Sequence, residues 1–249
     1  TGKALAAKTA DAGVSCDWVP AAAPTRSCHT LIDKAAGHTT ELVEEMACPS
    51  PAEWEELDRN LNSLLPSAGF VVLTGKLPPG SSTDAYTKMV GRVNERGVRS
   101  LLDSQGPPLL EALAQKPFLV KLYADELAAT LGRPAGSEQE IKAMMNEVRG
   151  RGAAWVMVTR GPKTAFLLGE EGFFRFHPPG VDAVNTSGCG DAVAAGTAHA
   201  LTRGKPVMEA AAAGLACGTA AALEPLPGVV KPETVEEMRA LVQVEGPIS

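Results

Sequence analysis

From residue 69 onward, short apolar runs alternate with longer amphipathic stretches in this chain of 249 residues. The apolar runs have the length of buried strands, and the stretches between them have the spacing of helices with one apolar face. Strands that alternate with helices usually form a parallel sheet covered by those helices. The alternation therefore predicts an α/β domain built on a parallel sheet.

The predicted strands fall into two groups. Three of them alternate with helices, at 69–74, 98–103 and 118–122. Three more follow one another with glycine-containing turns, as antiparallel strands that extend a sheet do, at 155–159, 164–169 and 172–177. The predicted helices comprise one that ends at about Gly97 and others at 107–115, 124–132, 137–150, 190–203, 206–223 and 232–243.

Charge and cysteine content narrow the class of protein. The net charge is −6 and no cluster of Lys or Arg lies on one predicted element, which argues against a nucleic-acid-binding surface. The five cysteines include no C-x-x-C pair, so a reduced, cytoplasmic setting is expected rather than a disulfide framework or a zinc site. No apolar run approaches the roughly 20 residues of a membrane span. We therefore expect no nucleic-acid or membrane partner.

Residues 25–45 differ from the rest, because two β-leaning runs flank the short stretch AAGH. Gly37 in that stretch suits the tight turn of a hairpin. The segment is therefore predicted to form a β-hairpin. It can be an appendage to the domain or an ordinary edge hairpin of the same sheet.

The segment VDAVNTSGCGDAVAAGTAHALTRG, residues 181–204, is the most informative about chemistry. A short strand leads into Ser187-Gly188-Cys189-Gly190-Asp191, and a helix rich in small residues follows at once. Two closely spaced glycines allow a sharp turn that directs successive N–H groups into one concavity, beside the positive end of the helix. Such a concavity suits a transferring phosphoryl group, and Asp191 can accept the proton of an attacking hydroxyl.

Two other interpretations of this turn stay open. Asp191 can be a plain capping residue at the start of a glycine-rich helix. Cys189 can be a nucleophile, although no His is placed in the sequence to suggest its base.

The same segment resembles the C-terminal signature of the ribokinase-like (PfkB) carbohydrate kinases, D/N-T-x-G-A-G-D followed by a small-residue helix. Asn185 in the first position is similar to the branch of tagatose-6-phosphate kinase and 1-phosphofructokinase, and Cys189 stands where the family has Ala. Further resemblance to family segments extends over nearly the whole chain, in LTGKLPPG (73–80), VRSLLDSQG (98–106) and VMVTRGPKTAFLL (156–168).

The resemblance implies a ribokinase-like three-layer α/β/α fold with a mostly parallel central sheet and a small β lid. Residues 1–249 would form the kinase domain, and the hairpin at 25–45 would be part of the lid. The family's first core strand, an Asp that contacts the sugar hydroxyls, its G-G-K-G substrate loop and the other lid strands would precede Thr1. Because lid strands in this family often pair between subunits, the resemblance also implies a possible homodimer.

Site residues can be carried over position by position from the resemblance. Asp191 would be the catalytic base, and the turn of Gly188, Cys189 and Gly190 would form the anion hole. The ATP site would be lined by Lys121, Thr159 and Gly161. The first two lie at the ends of predicted strands, and Gly161 lies in the turn after the second of these strands. Glu126 would act on Mg²⁺ indirectly, through water. The sugar phosphate would be contacted by Arg26, Gly75 and Lys76.

Two departures from the family pattern bear on this site. Where the family has the motif K-P-N-x-x-E, this chain has Leu122 in place of Pro and Tyr123 in place of Asn. The phenol of a tyrosine cannot reproduce the donor and acceptor pair of an amide. Lys76 replaces a small Ser, which adds a cation beside the expected sugar site.

The leading hypothesis is ATP- and Mg²⁺-dependent phosphorylation of a ketohexose phosphate such as fructose 1-phosphate or tagatose 6-phosphate. One alternative is a kinase of a free sugar or nucleoside, against which Arg26 argues because a cation suits an acceptor that already carries phosphate. The other is a catalytically degenerate paralogue that binds a sugar phosphate, which the residues Tyr123 and Lys76 suggest.

Overall fold

The structure is a computed structural model that describes residues 2–33 and 38–248. The chain divides into two compact units, Thr1–Pro66 with Leu77–Ser82 and Ser67–Lys76 with Thr83–Ser249. We call these the first and the second unit. No helix in the described part of the chain combines the length and apolar character that a membrane crossing needs.

The first unit contains a hairpin of two strands, β1 (Cys28–Asp33) and β2 (His38–Val43). The strands pair antiparallel and form a two-stranded sheet of their own. The hairpin strands predicted within 25–45 are therefore present, and the alternative that they form an edge of the main sheet is wrong. The predicted turn at Gly37 lies outside the described residues. The role of the hairpin as a lid of a kinase domain covering residues 1–249 stays a prediction.

Two helices of the first unit were not predicted, α1 (Gly2–Asp11) and α2 (Pro51–Leu64). The start of α2 has a clear sequence signal, because Ser50 and Glu53 form a capping box with Pro51 as the first helical residue. The backbone N–H of Glu53 donates to the Ser50 hydroxyl at 3.3 Å, and the Glu53 carboxylate accepts from the Ser50 N–H.

The second unit is built on a seven-stranded sheet in sequential order from β3 to β9. The parallel strands are β3 (Val71–Thr74), β4 (Ser100–Asp103), β5 (Leu119–Tyr123) and β6 (Trp155–Arg160). The strands added antiparallel are β7 (Lys163–Gly169), β8 (Gly172–His177) and β9 (Gln243–Ile248). Because β8 again runs in the direction of β6, most strands share one direction, as predicted. The strand β9 was missed, since Gly246 and Pro247 are residues that strands disfavour.

The helices of the second unit occupy the ranges between and after these strands. They are α3 (Ala85–Glu95), α4 (Gly106–Ala112), α5 (Ala124–Leu131), α6 (Glu138–Gly150), α7 (Cys189–Thr202), α8 (Val207–Ala222) and α9 (Pro232–Leu241). A short 3₁₀ turn covers Leu113–Gln115 in this unit, and another covers Leu65–Ser67, where the first stretch of the first unit ends in the sequence. The helices α3 to α9 were each predicted to within a few residues.

Helices cover both faces of the sheet. On one face, side chains such as Leu119 and Met157 pack with residues of α7 and α8, and α9 adds partly buried side chains to the same core. Alternate residues of a strand point to opposite faces. Residues that point to the opposite face, among them Leu102 and Val120, are also fully buried. On that face, α3, α5 and α6 pack against strands of the sheet. The predicted three-layer α/β/α arrangement is therefore confirmed.

The helices α7 and α8 pack unusually closely through small residues. A Cβ atom at Gly214 of α8 would lie 2.0 Å from Oγ1 of Thr197 on α7, and one at Gly218 would lie 2.5 Å from Cγ2 of Val193. Since contacts this short exclude any side chain, glycine is required at both positions. The close packing fixes the position of α7 and therefore of its first turn.

Candidate active site

The predicted site residues of the second unit lie at the carboxyl ends of the parallel strands. β4 ends at Asp103, β5 at Tyr123 and β6 at Arg160, while Gly75 directly follows the end of β3. In open α/β sheets, ligands bind outside this edge, where the loops that follow the strands diverge. We therefore expect the reactive groups of the protein at this edge.

A buried ion pair joins two strands at this edge. Lys121 of β5 and Asp103 of β4 are register partners, and Nζ of Lys121 donates to Oδ2 of Asp103 at 2.7 Å. Their side chains are only 6% and 12% exposed. Burial raises the pKa of Asp103, the ammonium of Lys121 opposes that rise, and the charges of Glu126 and Asp191 add to it. One ammonium and two further carboxylates therefore act electrostatically on the carboxylate of Asp103.

The turn before α7 is shaped by Asn185 and Gly188. The side-chain oxygen of Asn185 accepts from the N–H of Ser187 at 3.0 Å, and its amide nitrogen donates to the carbonyl of Pro225 at 3.1 Å. Gly188 has φ 78° and ψ 0°, in the left-handed region that favours glycine. A Cβ there would also lie 3.2 Å from Cβ of Pro227. Gly188 is thus the residue that allows the chain to turn into α7.

Gly190 has a different role from the turn-forming one that the sequence suggested. It lies inside the first turn of α7 with helical backbone. A Cβ at Gly190 would lie 3.0 Å from Nζ of Lys121. Glycine at this position therefore makes room for the Lys121 ammonium, which lies against the backbone of the predicted anion hole.

The first turn of α7 also supplies backbone N–H groups. The N–H of Cys189 donates to the carbonyl of Thr186 at 3.3 Å, and that of Ala192 makes the first helical bond, to Gly188, at 2.9 Å. Helix geometry leaves the intervening N–H groups of Gly190 and Asp191 without an intrahelical acceptor. These two amides are better placed to receive an anion than the amide of Cys189.

The side chain of Cys189 has the surroundings of a structural thiol. Its Sγ lies 3.8 Å from the carbonyl oxygen of Asn185. Burial raises the pKa of this thiol, which disfavours the reactive thiolate. The interpretation of Cys189 as a nucleophile loses its physical support.

Asp191 lies one residue beyond Gly190, in the first turn of α7. Its side chain is open to solvent, where a substrate hydroxyl could reach it. Its charge nevertheless acts on the carboxylate of Asp103, so it belongs to the same cluster. Asp191 is thus a first-turn acid whose charge also reaches the ion pair at the carboxyl edge.

The residues predicted to line the nucleotide gather around the end of β5. Thr159 is buried and is the register partner of Tyr123, and its hydroxyl donates to the carbonyl of Leu122 at 3.5 Å. Gly161, with φ 61°, follows β6, and a Cβ there would lie 3.3 Å from the phenol oxygen of Tyr123. The aromatic residue that replaces the family's Asn thus lies beside the turn after β6.

Glu126 caps the helix that follows β5. Its carboxylate accepts from the N–H of Tyr123 at 2.7 Å, in a capping box at the start of α5. This bond fixes the carboxylate, and its charge helps to raise the pKa of Asp103. Capping uses one oxygen of Glu126 and leaves further lone pairs for water.

The residues predicted to bind the sugar phosphate are divided between the two units. Gly75 belongs to the second unit, and its carbonyl accepts a hydrogen bond of 2.6 Å from the hydroxyl of Tyr86. Burial, with a contribution from Asp103, raises the pKa of Tyr86 to about 12. Lys76 follows Gly75 and is exposed. Arg26 belongs to the first unit, and its contact with a substrate stays a prediction.

Sequence reasoning missed two residues at this edge, Asp103 and Tyr86. Asp103 carries a usable signal, since it is an acid directly after the apolar pair LL, as Lys121 follows LV in the next strand. Adjacent parallel strands bring such residues side by side. The hydroxyl of Tyr86 has no comparable signal, because its partner is a backbone carbonyl.

Comparison with known proteins is consistent with this geometry. The family described as pfkB family carbohydrate kinase matches residues 1–233. A tagatose-6-phosphate kinase of Staphylococcus epidermidis is 29% identical over 223 residues, which are 88% of this chain and 71% of the relative. A 1-phosphofructokinase of Rhodobacter capsulatus is 30% identical over 233 residues, 93% of this chain and 73% of the relative.

A solved structure gives the same result for the fold. The tetrameric inhibited form of phosphofructokinase-2 from Escherichia coli superimposes with a TM-score of 0.87 at 27% identity. The match covers 97% of this chain and 78% of that one. With the family match spanning most of the sequence, the chain belongs to the pfkB family of carbohydrate kinases and has the ribokinase-like fold.

Proposed function

We propose that this protein transfers the γ-phosphoryl group of ATP to a hydroxyl of a ketohexose phosphate, of the fructose 1-phosphate or tagatose 6-phosphate type. The observation that carries the proposal is the position of the Lys121 ammonium against Gly190 at the start of α7, one residue before Asp191. The named activities of the two related enzymes favour the same acceptor class. The Lys121 ammonium, the amides of Gly190 and Asp191 and the Asp191 carboxylate thus lie at the first turn of α7.

Each group has a part in the transfer. Asp191 accepts the proton of the acceptor hydroxyl as that oxygen attacks the γ-phosphorus, whose bond to the departing ADP oxygen breaks. The amides of Gly190 and Asp191 and the ammonium of Lys121 stabilise the negative charge on the transferring phosphoryl oxygens. Because these donors are held in place before substrate binds, they need no rearrangement during the reaction.

The residues at this edge fit ATP and Mg²⁺. Among the described residues, no group of three or more His, Cys, Asp or Glu side chains is arranged to hold a metal ion. A kinase usually holds Mg²⁺ with one or two carboxylates, waters and the substrate phosphates, so such a group is not required. Glu126 would hold it through water, since its carboxylate lies in the charged cluster around Asp103. Bound Mg²⁺ neutralises charge on the ATP phosphates.

The remaining assignments extend the proposal. Thr159 and Gly161 would line the nucleotide site beside Tyr123. Arg26, Gly75 and Lys76 would contact the sugar phosphate, with the hairpin of β1 and β2 as part of a lid. A homodimer through lid strands and a cytoplasmic location follow from the family resemblance and from cysteine usage.

A second candidate function is a sugar-phosphate binder without kinase activity. It is favoured by Tyr123, which replaces the family's Asn and whose phenol lies beside Gly161. A phenol there could fill part of the nucleotide site. Nucleotide binding separates the two functions, because a ligand that binds only the folded protein raises its melting temperature.

The proposal is tested by coupled ADP-release assays with ATP, Mg²⁺ and a matched panel of acceptors. The panel pairs fructose 1-phosphate, fructose 6-phosphate and tagatose 6-phosphate with free fructose, tagatose and a nucleoside. We expect turnover with at least one ketohexose phosphate and little with its unphosphorylated partner. Preference for a free sugar or nucleoside would reject the acceptor class. Stabilisation by a sugar phosphate but not by ATP, without turnover, would favour the binder.

A further inference from the structure

The ion pair between Asp103 and Lys121 includes one residue, Asp103, to which neither the turn before α7 nor the predicted site assigns a role. The pair is almost fully buried, at 12% and 6% side-chain exposure, and the two residues are direct neighbours across β4 and β5. Asp103 was not among the predicted site residues. Its carboxylate nevertheless makes the 2.7 Å hydrogen bond that fixes the Lys121 ammonium.

Stability alone does not account for such a pair. Removing two charges from water is costly, and apolar residues of similar volume often serve a fold equally well or better. The surrounding strands are filled with apolar residues at equivalent depth, such as Leu119 and Met157. A buried lysine and aspartate in this setting are better explained by what the ammonium does than by what the pair contributes to folding.

The geometry indicates what the ammonium does. A lysine side chain has several rotatable bonds, and an unpaired ammonium would turn toward water. The carboxylate of Asp103 prevents this, and the ammonium instead lies against Gly190, where a Cβ would be only 3.0 Å away. Gly190 and Asp191 are the residues whose amides have no intrahelical acceptor. The carboxylate of Asp103 therefore directs the ammonium to the helix end where an anion would be received.

We propose that Asp103 is a positioning residue that acts through Lys121. It holds the ammonium against Gly190 so that the positive charge meets the phosphoryl group as it is transferred. The inference rests on the proposed function for the identity of that anion. Asp103 itself touches neither substrate in this role, so its effect disappears when Lys121 is absent.

A double-mutant cycle tests this directly. The proteins are wild type, Asp103→Asn, Lys121→Met and the double variant, each measured for kcat, for the KM of the sugar phosphate and for melting temperature. We expect Asp103→Asn to lower kcat by about 10²-fold with the KM of the sugar phosphate changed less than about threefold. In the Lys121→Met background, Asp103→Asn should lower kcat no further, because residues that act through one another are not additive.

The outcomes separate a positioning role from a merely structural one. Equal fractional losses of kcat in both backgrounds, or an unchanged kcat in Asp103→Asn, would overturn the proposal while leaving kinase activity established. If Asp103→Asn alone does not fold, the comparison of Lys121→Met with the double variant still decides. A further fall in kcat of more than about threefold between those two overturns it.

A wild-type protein without phosphoryl transfer would reject the proposed function but would still leave the positioning role testable. In that case the same four proteins are titrated calorimetrically with the ATP analogue AMP-PNP and Mg²⁺. Loss of affinity in Asp103→Asn that vanishes in the Lys121→Met background supports positioning of the ammonium at an anion. The positioning role is overturned by additive losses of affinity, by no loss in Asp103→Asn, or by a wild-type protein that does not bind AMP-PNP.

Discussion

A cation at each edge of the parallel sheet, Arg99 at one and Lys121 at the other, lies in contrasting surroundings. At the amino edge, Arg99 precedes β4, and its guanidinium lies 5.9 Å and 4.8 Å from the ring centroids of Phe70 and Phe118, which precede β3 and β5. Arg99 is exposed and its charge faces water. At the carboxyl edge, the ammonium of Lys121 is buried and paired with Asp103.

The difference separates a stabilising contact from a functional one. A guanidinium over aromatic rings at the surface contributes about 0.5–1 kcal/mol and needs no second charge. A buried pair gives little net stability over apolar residues, yet removing one partner costs several kcal/mol. The carboxyl edge thus carries charges that the fold does not require, which is how reactive sites differ from ordinary surfaces.

The largest expected effect comes from Asp191→Asn. The amide cannot accept a proton, so kcat should fall about 10³-fold, while the KM of the sugar phosphate and the melting temperature change little. Glu233→Gln is a matched control, since Glu233 is an exposed acid in the first turn of another helix, α9. Steady-state kinetics of both variants check this. Equal activity of the two variants would show that Asp191 is only a first-turn acid.

The contrast between the edges is sharpened by Asp103→Asn and Arg99→Ala. The first leaves a buried ammonium without its counter-charge and should lower the free energy of unfolding by about 3 kcal/mol. The second removes an exposed stack and should cost about 1 kcal/mol or less, with kcat unchanged. Urea unfolding near neutral pH measures both. Similar losses in the two variants would break the distinction between the edges.

A smaller effect is expected where glycine makes room for the ammonium. In Gly190→Ala the new Cβ would lie 3.0 Å from Nζ of Lys121, and the displaced ammonium should reduce kcat about tenfold. Gly150→Ala is the matched control, because Gly150 is also helical but has no atom within 4 Å of an added Cβ. It should gain up to about 1 kcal/mol of stability and keep its kcat. An unaffected kcat in Gly190→Ala would contradict a role for the close approach of the Lys121 ammonium to Gly190.

The smallest expected effect is a pH dependence at the carboxyl edge. The pKa of Tyr86 is raised to about 12, so the folded state keeps its proton more tightly than the unfolded state. The stability that this contributes is present below pH 10 and is lost as the pH rises through about 12. Tyr123→Phe leaves Tyr86 as the sole tyrosine, and absorbance titration of its phenol follows the transition directly.

Two further titrations, of the unfolded chain and of a variant of Asp103, serve as controls. The unfolded chain in denaturant should titrate near 10. Adding Asp103→Asn should lower the folded midpoint, because the charge of Asp103 is the second cause of the shift after burial. A folded midpoint near 10 would place the phenol in water rather than in the buried hydrogen bond to Gly75.

Much of the fold could be predicted from the sequence because buried strands are themselves apolar runs. The parallel strands and their helices were found to within a few residues, whereas β9 was hidden by Gly246 and Pro247. The site was predicted less completely, since its decisive contacts join residues distant in sequence. Gly190 was assigned a role in the local turn, and only the packed structure places Lys121 of a neighbouring strand against it.

The most direct test is a crystal structure of the complex with AMP-PNP, Mg²⁺ and a ketohexose phosphate. We expect γ-phosphoryl oxygens within about 3 Å of the Gly190 amide and of Nζ of Lys121, with the Asp191 carboxylate in hydrogen-bond reach of the acceptor hydroxyl. A γ-phosphoryl group bound away from the first turn of α7, or an acceptor hydroxyl out of reach of Asp191, would contradict phosphoryl transfer at this edge.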